Sequence, residues 1–133
     1  TRLEFIEYYL SQKINTPSLV IIDGIADLVS DVNSLEESNA VVQKLMEWSS
    51  KYNVHIINVI HQNYGSAKMT GHLGSFLEKK CETHIELEAN TVNKEWVTVK
   101  CKRSRGYAFD TFSFFVNDVG LPTIVDNLYD PLK

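Results

Sequence analysis

At 133 residues with 44% hydrophobic content, the chain can form one domain, or a piece of one, around a real core. A net charge of −4 argues against a surface built wholly for nucleic acid, although a local basic patch is compatible with it. The two cysteines, Cys81 and Cys101, have neither C-x-x-C spacing nor a metal-ligand pattern and suit reduced thiols in a cytoplasmic protein; no run is long enough to span a membrane and no signal peptide is visible.

Residues 1–14 carry Leu3, Phe5, Ile6, Tyr9, Leu10 and Ile14 at helical spacing, and Asn15, Thr16 and Pro17 end that helix. The chain starts at Thr1 and enters directly into this helix, which leads us to expect that it is cut from a longer protein. The central stretch is Ser18-Leu19-Val20-Ile21-Ile22-Asp23-Gly24. Its unbroken apolar run predicts a strand over 18–23 buried on both faces, as in a parallel sheet. Residues 24–33 form a polar loop with a short apolar turn. Ser34 and Glu37 form a capping box that opens a helix over 34–52. Val41, Val42, Leu45, Met46, Ser49 and Tyr52 share one face of it, and Asn53 ends it. Residues 54–60 are a second β-branched strand, so strand, helix and strand make a parallel βαβ crossover.

After His61-Gln62-Asn63 the sequence predicts a polar loop over 64–73 and a short helix over 74–80. Residues 83–88 alternate as a strand, taken as a third parallel member. Two further strands, 96–102 and 110–116, are expected as a carboxyl-terminal antiparallel hairpin with a basic turn, Arg103-Ser104-Arg105-Gly106-Tyr107, at its tip. Pro122 and Pro131 mark an irregular tail over 119–133, which leaves a single domain over 1–133 with its core at 18–118.

Two strands thus end in polar residues: Asp23 on one, and His61, Gln62 and Asn63 on the next. If the strands are parallel, both sets lie at the carboxyl end of one sheet, where open α/β folds place ligands. An apolar run ending in Asp has the form of a Walker B segment, whose carboxylate holds a nucleotide-bound magnesium. The same residues also describe a buried strand closed by an Asp-Gly turn, and His61 a strand-end histidine. Lys100, Lys102, Arg103 and Arg105 are the densest positive cluster, which reads either as a solvated hairpin tip or as a finger reaching a phosphate on a neighbouring subunit.

Taken together, Leu19-Val20-Ile21-Ile22-Asp23, the capped helix, Ile60-His61-Gln62-Asn63, Gly71-His72-Leu73-Gly74-Ser75 and the late basic segment resemble the carboxyl-terminal half of a RecA-fold P-loop ATPase. The group it looks most like is the RepA-like and DnaB-like hexameric helicases of plasmids, phages and mobile elements. The resemblance covers residues 18–118. It implies a partial RecA-like parallel sheet with flanking helices, and a part in a nucleic-acid-dependent ATPase, a helicase or a DNA mobilisation or replication ATPase. It implies ATP and Mg2+ as cofactors, DNA as partner, a homo-oligomer (a hexamer in the intact protein), no membrane and a cytoplasmic location. By residue, it implies that Asp23 is the metal-holding carboxylate and that His61 or Gln62 senses the terminal phosphate. It further implies that the loop starting at Asn63 faces nucleotide or channel, and that Lys102, Arg103 or Arg105 acts across a subunit interface. The chain departs from the family in having no G-x-x-x-x-G-K-[ST] loop, so the fragment alone is not expected to hydrolyse ATP. In place of an arginine that many RepA-like relatives carry before Gly74-Ser75 stand Gly71, His72 and Leu73. The alternative function is a non-catalytic RecA-like module for oligomerisation or DNA binding.

Overall fold

A computed structural model describes residues 1–12, 16–62 and 69–125. The chain is mixed α/β, with a two-stranded parallel sheet, a four-stranded antiparallel sheet and three α-helices among the described residues. It divides into two compact units, Thr1–Lys80 and Cys81–Lys133.

In the first unit, helix α1 (Arg2–Ser11) leads to β1 (Leu19–Asp23), a 3₁₀ turn (Ile25–Leu28), helix α2 (Leu35–Lys51), β2 (His55–Val59) and helix α3 (Gly71–Lys80). The βαβ expectation holds: β1 and β2 pair in parallel, from Leu19 opposite His55 to Asp23 opposite Val59. Ser34 caps α2 as expected, accepting from the Glu37 amide at 3.2 Å. The reciprocal half of the capping box is replaced: the Glu37 carboxylate reaches back to the Ser30 amide and hydroxyl, at 2.7 and 2.6 Å. Those bonds hold the Glu37 carboxyl below the usual glutamate range, the Ser30 hydroxyl contributing most. Asn53, in the left-handed region at φ 50°, follows the end of α2, a position where asparagine is the commonest substitute for glycine.

The core gathers Leu10, Ile22, Ile25, Val41, Val42, Leu45, Trp48, Val54, Leu73 and Leu77, so α2 and α3 cover the sheet face that carries Ile22. Trp48 is fully buried whereas Met46 is exposed, which places the inner stripe of α2 one register away from that expected. The expectation that β1 is buried on both faces is corrected. Leu19, Ile21 (60% exposed) and Ile57 lie on the opposite face and stay in contact with solvent. An apolar run says that a strand can be covered on both sides, not that it is.

Helix α3 starts at Gly71 rather than at 74. Its early amides would otherwise lack partners, and the Leu73 amide finds one in the Val32 carbonyl at 3.1 Å. Gly71 has φ +66°, and a Cβ there would stand 2.4 Å from that same Val32 oxygen. No side chain can occupy this approach.

The second unit is a meander, β3 (Thr83–Ala89), β4 (Trp96–Ser104), β5 (Phe112–Val116) and β6 (Pro122–Val125), each strand antiparallel to the next. The parallel assignment of 83–88 is therefore wrong: β3 pairs antiparallel with β4. The reason is the short connection. Asn90 Oδ1 accepts from the Val92 and Asn93 amides at 2.9 and 3.0 Å, folding residues 90–95 into a turn too tight for a parallel crossover. The expected antiparallel pair exists as β4–β5, but inside this larger sheet and not as a free hairpin. The expectation of an irregular tail fails at 122–125, where Pro122 takes the first position of a strand, a place proline tolerates. Gly120, at φ +82°, turns the chain into it. Residues 126–133 lie outside those described.

Candidate functional site

The parallel register fixes what can meet at the carboxyl end of the first sheet. Asp23 is the last residue of β1, level with Val59, and His61 follows two residues beyond Val59. Both chain ends therefore leave the sheet on the same side, as the sequence pattern requires of a shared site. The Asp23 and His61 side chains are exposed. The peptide between Asp23 and Gly24 is cis.

Asp23 opens onto a shallow groove of about 540 Å³ lined by Arg2, Phe5, Ile21, Gly24 and Asp27 among others. A second carboxylate, Asp27, is already engaged: Arg2 Nη1 lies 3.2 Å from its carboxylate and donates to its carbonyl at 3.1 Å. Asp23 is thus the carboxylate at the strand end with room in front of it. A lone carboxylate fits magnesium, which keeps several waters and takes other oxygens from phosphates, better than it fits a calcium or zinc cage. No group of three or more His, Cys, Asp or Glu side chains is gathered as a metal site among the described residues.

On the β2 side the backbone is tied down. The His61 carbonyl accepts from the Thr70 hydroxyl at 2.8 Å and from the Thr70 amide at 3.4 Å. Gln62 forms an antiparallel bridge with Met69. The His61 and Gln62 backbone is therefore held by Thr70 and Met69, an anchoring that the residue pattern does not signal. Asn63, the third residue expected there, lies outside the described residues.

Lys102, Arg103 and Arg105 belong to the second unit. The turn expected at 103–107 is displaced, because β4 continues to Ser104. Arg103 lies within the strand opposite His84, and Arg105 follows it with its amide donating to the Glu82 carbonyl at 3.0 Å. The connection to β5 spans 105–111. Lys102 is committed to Glu86, its Nζ 2.9 Å from a carboxylate that is almost fully buried, and Lys100 pairs with Glu88. These pairs form a charge ladder across β3 and β4. The sequence does not show it because both pairs run diagonally, Glu86 standing opposite Lys100 and Glu88 opposite Thr98 in the register.

No helix among the described residues is long and apolar enough to cross a membrane. No protein family and no curated protein matches this chain.

Proposed function

We propose that the chain is the carboxyl-terminal part of a RecA-like P-loop ATPase that works on nucleic acid, a helicase or a DNA mobilisation or replication ATPase acting as a homo-oligomer. The observation that supports this best is the parallel register of β1 and β2, which brings Asp23 and the His61–Gln62 pair to one end of one sheet. Asp23 would hold the Mg2+ of a bound ATP, together with water and phosphate oxygens. His61 and Gln62 offer hydrogen-bonding side chains at the end of a strand whose departing chain is pinned, as a group that reports a terminal phosphate must be. The chain supplies the carboxylate and the polar strand end. It contains no G-x-x-x-x-G-K-[ST] to cradle phosphates, so turnover requires that loop from elsewhere in the functional protein.

The test has two arms. Titrated calorimetrically with magnesium-ATP, the 133-residue chain should show no affinity in the micromolar range or tighter. In a protein that joins this chain to a P-loop, Asp23→Ala should abolish ATP turnover and leave the fold intact, because an exposed strand-end carboxylate contributes little to the core. Turnover at the wild-type rate by that variant would remove Asp23 from the chemistry and favour a non-catalytic RecA-like module.

A further inference from the structure

We propose that the connection between β4 and β5 is a contact for single-stranded nucleic acid, in which Tyr107 stacks on a base and Arg103 and Arg105 meet neighbouring phosphates. Three observations carry it. Tyr107 is fully exposed (103%), with no part of its ring against the protein. An isolated exposed aromatic is ordinary, but this one follows directly on a concentration of charge. Four of the chain's 13 cations stand between Lys100 and Arg105, a stretch without a carboxylate in a chain of net charge −4.

The second observation is a division of labour. Lys100 and Lys102 are held by Glu88 and Glu86 and serve to fasten β4 to β3. The arginines come after them, at the end of the strand and next to Tyr107. A guanidinium has five donors, so each arginine can keep a partner within the protein and still contact a phosphate.

The third observation concerns the loop itself. Phe109 packs on Phe112, ring centroids 6.0 Å apart, and the Gly106 amide donates to the Ser104 hydroxyl at 3.2 Å. The loop is anchored on either side of Tyr107 while that ring remains uncovered. An uncovered ring beside cations is a feature on which an unpaired base can stack without sequence preference. Duplex DNA, whose bases are already stacked, offers no face to such a ring. The inference rests on the nucleic-acid part of the proposed function and gives it a place in the fold; it uses none of the residues at the end of β1, so the two tests fail separately.

Anisotropy of a labelled oligodeoxythymidine, titrated with the 133-residue chain, tests it. The single strand should bind and a duplex of equal length should bind more weakly. Tyr107→Ala should weaken binding about tenfold, and Tyr107→Phe should restore it. Arg105→Ala should weaken binding and lower the slope of log affinity against log salt by about 0.7. Circular dichroism should show both Tyr107 variants folded, because Tyr107 has no contact to lose. Asp23→Ala should bind the oligonucleotide like wild type, which keeps this test separate from that of the ATPase. No binding by the wild-type chain, wild-type affinity in Tyr107→Ala, equal weakness of Tyr107→Phe, or preference for the duplex would each overturn the proposal. Unchanged affinity in Arg105→Ala would overturn the phosphate role and return that residue to the interface role implied by the resemblance.

Discussion

The two units solve the same problem with different means. The first buries ten apolar side chains between helices and one face of a two-stranded sheet. In the second, Val99 is the buried apolar residue among those described, and the other deeply buried group is a carboxylate, Glu86. Its strands are held by cross-strand pairs, Lys100 with Glu88, Lys102 with Glu86, and the Thr98 and Ser113 hydroxyls at 3.2 Å. Apolar burial is roughly proportional to area and tolerates little loss of volume, whereas cross-strand pairs contribute in small, separable steps. Single substitutions should therefore act steeply in the first unit and shallowly at the exposed pairs of the second, Lys102 excepted, whose loss would take its cation from the buried Glu86 carboxylate.

The largest expected effect is Trp48→Ala. Removing a fully buried indole from the centre of the first core should cost about 3–5 kcal/mol, read as a fall in the denaturant midpoint. Hydrogen exchange should show the loss in β1, β2 and α2 while the β3–β6 amides change far less. Equal loss of protection in both units would break the contrast. Next comes Gly71→Ala, which forces a Cβ against the Val32 oxygen in a left-handed backbone. It should destabilise by about 1–3 kcal/mol and unravel the first turn of α3 first. A thermal midpoint equal to wild type would mean that this approach is not needed.

Smaller still is Ser34→Ala. It removes the side-chain cap of α2 and should cost about 1 kcal/mol in a chemical-denaturation curve, with Ser34→Gly closer to wild type. The smallest effect is pH-dependent. Because Ser30 lowers the folded carboxyl of Glu37, the stability from this contact is complete above the usual glutamate range. It is lost as the pH falls through the lowered folded value. Glu37→Gln should lower the neutral plateau slightly and leave stability at the acid end nearly in place, so that the acid limb flattens. An acid limb of unchanged slope would show that Glu37 carries none of it.

How much of this could be read from residues alone differs between the units for a physical reason. In the first, capping, helical spacing and β-branched runs all point the same way, and Ser34, Val41, Leu45 and the β1–β2 pairing follow from them. Trp48 escapes because a one-position shift of the inner stripe still leaves Val41 and Leu45 inside. The exposure of Ile21 escapes because it depends on what covers a sheet, which a strand's own residues do not state. In the second unit, alternation announces strands but not their partners. There the direction of β3 is set by the Asn90 turn, and the Lys102–Glu86 pair runs diagonally across the register. At the site, the common sheet end of Asp23 and His61 is legible from the crossover. The anchoring of that end by Thr70 and Met69 is not, since it rests on contacts between residues apart in sequence.

The connectivity of the meander has a consequence for the time course of folding. Every strand of the second unit meets the one just before it in sequence, so each pairing closes only a short loop. The first sheet instead joins Leu19 to His55 across the whole of α2. Closing that distance costs more chain entropy before any contact repays it. The strand pairs of β3 to β6 should therefore form early, from whichever turn happens to close first. The β1–β2 pair should wait until α2 has formed and can carry the two ends together. Pulsed amide labelling during refolding should find the β3–β6 amides protected ahead of those of β1, and the reverse order would show that core collapse, not loop length, sets the pace. The end of the sheet that carries Asp23 and His61 would then be assembled late, by the slowest closure in the molecule.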